Sequence, residues 1–180
     1  MDTVEVERVE RSETVFAGRL LQVSRDHVLL ADGRRAIREV AHHPGAVAIL
    51  PIRDDGRIVF VRQYRYAVGK TLLEIPAGTR EANEEPDACA LRELEEETGY
   101  RAGRLRELIR FYVSPGWTDE QLVVFVAEAL SAGAAHPAGD ERLQVVELTP
   151  EEAREALRTG SICDAKSVIA LLGYFGWTLL

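Results

Sequence analysis

Short alternating and continuous apolar runs, rather than long helical periods, organise most of this chain. Val4 to Val9 alternates apolar with charged positions, Leu20 to Leu30 leads into the turn Ala31-Asp32-Gly33, and an extended return passes through Ala36, Ile37 and Val40. That spacing predicts a hairpin. Pro44-Gly45 makes a boundary, followed by a strand from Ala46 to Ile52, the turn Asp54-Asp55-Gly56 and a strand from Arg57 to Tyr64. Leu72, Leu73 and Ile75 form a short buried-strand pattern that Pro76 stops, and further strand-like runs cover Leu105 to Val113, Gln121 to Ala127 and Leu143 to Leu148. Helical signals are fewer. Pro86 suits a first helical turn and Gly99 a helix end, which predicts a helix over 86–98. Thr149-Pro150-Glu151-Glu152 reads as a capping box, and a last helix starts at Asp164 and buries Val168, Ile169, Leu172 and Tyr174. Strands and helices interleaved in this way predict an α/β fold, a mixed β-sheet between helices.

The first 45 residues read as a small antiparallel β module (1–45) ahead of a main domain (46–180). A sheet that small is marginal alone and needs a packing surface on its own chain or a neighbour. With 180 residues, 46% of them hydrophobic, the chain can bury one proper core. The net charge of −8 and the lack of any Lys/Arg-rich run argue against a general nucleic-acid surface, so an anionic substrate would have to meet local arginines and metal. There is no basic start followed by an apolar core, and the apolar run SVIALLGYFGWTLL is too short to span a membrane comfortably. The expectation is a soluble, cytoplasmic protein with no membrane and no nucleic-acid partner. Cys89 and Cys163 lack any paired metal spacing, which points to reduced thiols rather than a disulfide framework.

The stretch from Gly78 to Tyr100 changes the picture, because it places seven glutamates in 23 residues around one apolar seam. On a helix Glu93, Glu96 and Glu97 share one face, opposite Ala88, Leu91 and Leu94. Carboxylates at i, i+3 and i+4 repel one another, and those in the last turn also oppose the helix dipole. A divalent cation would relieve both penalties, and clustered carboxylate oxygens favour Mg²⁺ or Mn²⁺ over zinc. The competing reading is a solvated acidic face. The preceding loop favours a site, because Gly78 allows a tight turn that could aim a backbone carbonyl inward. Cys89 projects onto the acid face one turn before Glu93; a small residue packed beneath the site explains it as well as a redox role does.

In spacing, the same stretch resembles the Nudix box: Gly78, five residues, Glu84, seven residues, Arg92-Glu93, Leu94, one residue, Glu96-Glu97, one residue, Gly99, with Tyr100 as an aromatic variant of the final apolar position. The resemblance implies an α/β/α sandwich with a mixed β-sheet and metal-dependent hydrolysis of a nucleoside diphosphate linked to a further group. It also implies that Glu93, Glu97 and the Ala77 carbonyl ligate metal, that Glu96 acts through water or a second ion, and that Arg92 holds Glu84 in an ion pair, with an outer metal as the alternative partner of Glu84. Downstream, Ser114-Pro115-Gly116-Trp117-Thr118-Asp119-Glu120, with Pro115 fifteen residues past Tyr100, resembles the ADP-ribose pyrophosphatases of that family. Arg62-Gln63-Tyr64-Arg65 and Leu73 to Gly78 extend the likeness.

That subfamily implies a homodimer whose N-terminal sheets pack across subunits, products AMP and ribose 5-phosphate, and substrate contacts at Arg65, Arg62, Ser114 and Glu120. For Tyr112 and Trp117 core or dimer packing is the preferred role over adenine stacking. The resemblance places the general base on the stretch Ala138 to Leu143. Glu141 is the choice there as base and metal-associated acid, with Asp140 and Glu96 as rivals because residue 139 is Gly where another acid is sometimes found. Other readings are a different nucleoside diphosphate sugar pyrophosphatase, a non-catalytic nucleotide-binding sensor and a hydrolase of oxidised nucleoside triphosphates.

Overall fold

The computed structural model describes residues 6–133 and 142–176. The described residues fall into two compact units, the first running to Gly45 and taking in Tyr112–Gln121, the second formed by Ala46–Phe111 and the chain from Leu122 onward.

In the first unit, β1 (Arg8–Ala17), β2 (Gln22–Leu29) and β3 (Arg35–His42) form an antiparallel sheet in that order. The sequence reading started the first strand at Val4, which lies outside the described residues, and ended it at Val9. β1 instead continues to Ala17, and all but one of its residues are exposed. A strand without an apolar face has no period-2 hydrophobic signature, so backbone pairing and cross-strand polar contacts such as Ser12 with Asp26 and Arg35 with Glu10 define it. The segment Tyr112–Gln121 joins this sheet through a parallel bridge between Ala41 and Thr118.

The second unit is built on β4 (Ala46–Pro51), whose six residues are all buried. It pairs in parallel with β9 (Gln121–Ala132) and antiparallel with β7 (Ala77–Thr79), and β8 (Tyr100–Tyr112) completes a four-stranded mixed sheet in the order β7-β4-β9-β8. A second, antiparallel sheet runs β10 (Leu143–Leu148), β5 (Ile58–Arg65), β6 (Lys70–Glu74). Strand alternation divides the interior. Val47, Ile49, Val123 and Phe125 face Cys89, Ala90 and Leu94 of α1 (Pro86–Thr98). Ala48, Leu50, Val124 and Val126 face the opposite way, toward Ile58 and Phe60 of β5, Ala153 of α2 (Pro150–Arg158), and Ala170 and Leu171 of α3 (Ala165–Phe175). Coverage on both faces explains why β4 and β9 read as continuous apolar runs rather than alternating ones. Each large side chain buried this way contributes about 1.5–3 kcal/mol.

Two expectations about helix faces are corrected. In α3 the buried residues are Ser167, Ala170 and Leu171, whereas Val168, Ile169, Leu172 and Tyr174 are only partly buried. In α1 Leu91 is 42% exposed and Ala88 is also exposed. With Glu93 at zero and about 100° per residue, the buried arc runs from Cys89 near 320° through Glu97 near 40°, Ala90 near 60° and Leu94 near 100° to Thr98 near 140°. The acidic and buried faces therefore overlap at Glu97. Among the described residues no helix is long and apolar enough to cross a membrane.

The capping box is formed: Thr149 Oγ1 accepts from the Glu152 N–H at 3.2 Å, and the Glu152 carboxylate accepts from the Thr149 N–H at 2.8 Å. Thr149→Ala is expected to cost about 1 kcal/mol, read as a lower urea midpoint at unchanged slope.

Candidate active site

Between β6 and α1 the chain makes one close approach. Gly78, paired with Val47 in β7, has no left-handed backbone, yet a Cβ built on it would stand 1.9 Å from Glu93 Cδ and 2.0 Å from Glu93 Oε1. The sequence reading gave this glycine a tight turn; its role is to leave room, and Glu93 fills that room. Beside it Glu97, only 3% exposed, accepts the Ala77 N–H on Oε2 at 3.1 Å. Ala77, Gly78, Glu93 and Glu97 are thus interlocked. Glu96 lies at the partly exposed edge of the same helix.

Arg92 ties this group together. Its Nε and Nη2 donate to the two carboxylate oxygens of Glu84 at 2.8 and 2.9 Å, the bidentate geometry that suits a guanidinium. Nη1 donates to Glu93 Oε1 at 2.7 Å and to Glu96 Oε2 at 3.2 Å. Arg92 therefore supplies part of the relief from carboxylate repulsion that the sequence argument assigned to a metal. The Arg92 hydrogen bonds, opposed by burial and helped by the Glu81 N–H, lower the Glu84 pKa from 4.5 to about 2. Cys89 is fully buried, and burial followed by the nearby Glu84 pushes its thiol up to about 12. A thiol that hard to ionise is a poor nucleophile at neutral pH.

The two candidate arginines of β5 part company. Pairing of Arg62 with Leu73 and of Arg65 with Lys70 puts them on opposite strand faces. Arg62 lines a cleft with Thr71, Leu73 and Ser161. Arg65 donates from Nε and Nη2 to Glu74, with Nη2 to Oε2 at 2.7 Å. Its pKa is raised first by that hydrogen bond, against burial, with added attraction from Glu74, Glu97 and Asp164. Arg65 thus lies within the electrostatic reach of Glu97, and Arg62 faces away from it.

Ser114 and Glu120 belong to the first unit, where the Ser114 carbonyl accepts the Trp117 and Thr118 N–H groups and the Glu120 carboxylate stands 3.9 Å from His43 Nδ1. Trp117 and Tyr112, both largely exposed, line a groove with Val40 and Pro115 in that unit. Glu141 and its rival Asp140 lie outside the described residues.

Sequence reasoning missed two polar groups. One is Glu74 with Lys166 and Asp164, whose only trace was an acid inside the apolar run Leu72 to Ile75. The other is the chain Ser24 Oγ, His42 Nε2 at 3.0 Å, and His42 Nδ1, Asp119 Oδ2 at 2.6 Å, assembled from three separated stretches. Burial pushes the Asp119 pKa upward, but the hydrogen bonds from His42 and the His43 N–H outweigh it and leave it lowered.

The oxygens that could hold a metal are those of Glu93, Glu96, Glu97 and the Ala77 carbonyl, and the Gly78 cradle keeps Glu93 beside the strand that carries that carbonyl. This suits a hard divalent cation. Among the described residues no three acidic, imidazole or thiol side chains stand close enough together to hold a metal ion by themselves.

A strand–glycine–acidic helix interlock beside a mixed sheet is the arrangement by which this chain belongs to the Nudix family: the NUDIX domain model matches residues 41–170. Divalent-metal dependence is general in that family. Residues 7–41 match the nucleoside diphosphate sugar hydrolase N-terminal domain. The chain is 41% identical over 167 residues to the ADP-ribose pyrophosphatase of Bacillus subtilis (strain 168), covering 92% of this chain and 90% of that one. It is 42% identical over 167 residues to the methanol dehydrogenase activator of Bacillus methanolicus, with the same coverage of 92% and 90%. A solved structure described as an ADP compounds hydrolase superposes with a TM-score of 0.86 over 98% of this chain and 96% of that one; at 24% identity this speaks for the fold alone.

Gly78→Ala is expected to displace Glu93, lowering stability by roughly 1–3 kcal/mol through overpacking and weakening metal-dependent turnover more than the stability loss explains. Paired thermal melts and kinetics check this. Because the folded-state pKa of Glu84 is depressed, its stabilisation is fully present above about 4.5 and disappears as pH falls toward about 2. The Tm difference between wild type and Glu84→Gln is therefore expected to shrink through that window, measured by melts across acidic pH.

Proposed function

We propose that this chain hydrolyses the pyrophosphate of ADP-ribose to AMP and ribose 5-phosphate with Mg²⁺, or Mn²⁺ in its place. The observation that carries the hydrolytic part is the interlock of Gly78 with Glu93 and of Ala77 with Glu97, which holds two helical carboxylates beside the strand that carries the Ala77 carbonyl. Likeness to the Bacillus subtilis ADP-ribose pyrophosphatase over 92% of the chain supports the choice of substrate.

In this reading Glu93, Glu97 and the Ala77 carbonyl hold the cation, with Glu96 and Glu141 on its outer side. When bound, the cation neutralises phosphate charge and lowers the pKa of an attacking water. Arg65, held by Glu74, presents the remainder of its guanidinium to the diphosphate. Ser114 and Glu120 serve as further substrate contacts, and Arg62, on the opposite face of β5 from Arg65, is left out of the site. Glu141 accepts the proton of the attacking water, and Glu96 is the rival base. The work asked of the protein is chiefly positional and electrostatic. The N-terminal module of residues 1–45 serves dimerisation, residues 46–180 catalysis, and the protein acts as a cytoplasmic homodimer.

A panel of ADP-ribose, ADP-glucose, GDP-mannose, diadenosine polyphosphates and nucleoside triphosphates is expected to give ADP-ribose among the highest kcat/KM values; a better nucleoside diphosphate sugar would reassign the substrate. Glu97→Gln is expected to lower kcat by more than the roughly 10–100-fold typical of residues that only support a metal ligand. Tight ADP-ribose binding without turnover by the wild type would instead favour a nucleotide sensor.

A further inference from the structure

The first turn of α3 is stitched to Glu74 at the end of β6 through Lys166 and Asp164, two charges with no part in the proposed reaction. Glu74 is 1% exposed, yet it carries two cationic partners. Arg65 Nε reaches both carboxylate oxygens, at 3.0 and 3.2 Å, and Arg65 Nη2 reaches Oε2 at 2.7 Å. Lys166 Nζ donates to the same Oε2 and, at 2.9 Å, to Asp164 Oδ2. Asp164 also caps α3 through the Ser167 N–H, and the buried Ser167 Oγ accepts the Ile75 N–H at 2.9 Å. Residues 74 to 77 are thus held from three directions: by α3, by the Ile49 N–H on the Pro76 carbonyl at 2.8 Å, and by Glu97 on the Ala77 N–H.

We propose that Lys166 is a positioning residue for diphosphate recognition, acting through Glu74 to fix the plane and reach of the Arg65 guanidinium. The inference rests on the role proposed above for Arg65. A bidentate guanidinium follows the plane of its carboxylate, and a glutamate carboxylate turns readily about its last bond unless something holds it. Lys166 shares Oε2 with Arg65, so it provides that hold. Nε and Nη2 of Arg65 are committed to Glu74, while Nη1 takes no part in that pairing and is the group offered to an anion. Removing Lys166 would leave a buried carboxylate with one counter-ion, free to draw Arg65 into a different pose. Lys166 itself is nearly buried between Glu74 and Asp164, so its effect reaches the ligand through Arg65.

The test compares Lys166→Met, Lys166→Arg and wild type in two assays: kcat and KM for ADP-ribose at saturating Mg²⁺, and the Kd of inorganic pyrophosphate by calorimetry with Mg²⁺. Losing one charge-assisted hydrogen bond in this chain is expected to raise both KM and the pyrophosphate Kd on the order of 10-fold in Lys166→Met, with kcat within about twofold. Lys166→Arg is expected to recover most of that loss. If Lys166→Met does not fold, Lys166→Gln, which keeps a donor toward Glu74 but not the charge, is read in its place with the same expectation. Unchanged KM and Kd overturn the proposal, as does a fall in kcat and Tm that Lys166→Arg shares. Wild-type protein that binds pyrophosphate but leaves ADP-ribose intact sinks the proposed substrate alone, and the calorimetric comparison then still decides the role of Lys166; wild type that binds no pyrophosphate overturns it.

Discussion

The Glu93 carboxylate occupies the space that a side chain at residue 78 would need, and much of the candidate site depends on that contact. It brings a strand and a helix together closely enough for a backbone carbonyl and helical carboxylates to share one neighbourhood. Strand β7 is only three residues long and could not hold such a register alone. It is held by pairing to the fully buried β4, by the Ala77 N–H on Glu97, and by the fixed loop between β6 and β7.

Burying Glu74 and Glu97, and half-burying Glu84, has a cost that the fold meets locally. A buried carboxylate without a partner is costly, and here each buried acid has at least one named donor. Glu84 takes both arms of Arg92, Glu97 takes a backbone N–H, and Glu74 takes Arg65 and Lys166. Burial alone would raise the Glu74 pKa, yet its two cations outweigh it and leave the pKa lowered, so the group stays ionised. The same pairings tie β6 to β5 and α3, and α1 to β7 and the loop before it, so electrostatic compensation also gives mechanical support.

The legible parts of the fold were those with a strong local signal. Helix α1 starts at Pro86 and ends before Gly99 as read, because proline and a left-handed glycine act within one turn. The Thr149 capping box and the Asp164 cap are equally local. Strand β1 was shortened in the reading because its side chains are exposed on both faces, and Leu91 and Ala88 were assigned to the core because helical projection treats charge as solvent-seeking. Glu97 broke that assumption: a carboxylate with a designated donor can take a core position.

The sequence by itself determined the chemistry available: an ordered set of carboxylates with a glycine and an arginine at spacings one helix and one loop can bring together. Those spacings are short-range, and a helix converts them into geometry almost without help. What only the tertiary structure decided was which charges meet across long separations. Arg62 and Arg65 are three residues apart but face opposite sides of one strand, while Glu74 and Lys166 are 92 residues apart and touch. Strand register and the packing of α3 set those relations. They depend on how buried faces fit together, and local residue spacing does not encode that.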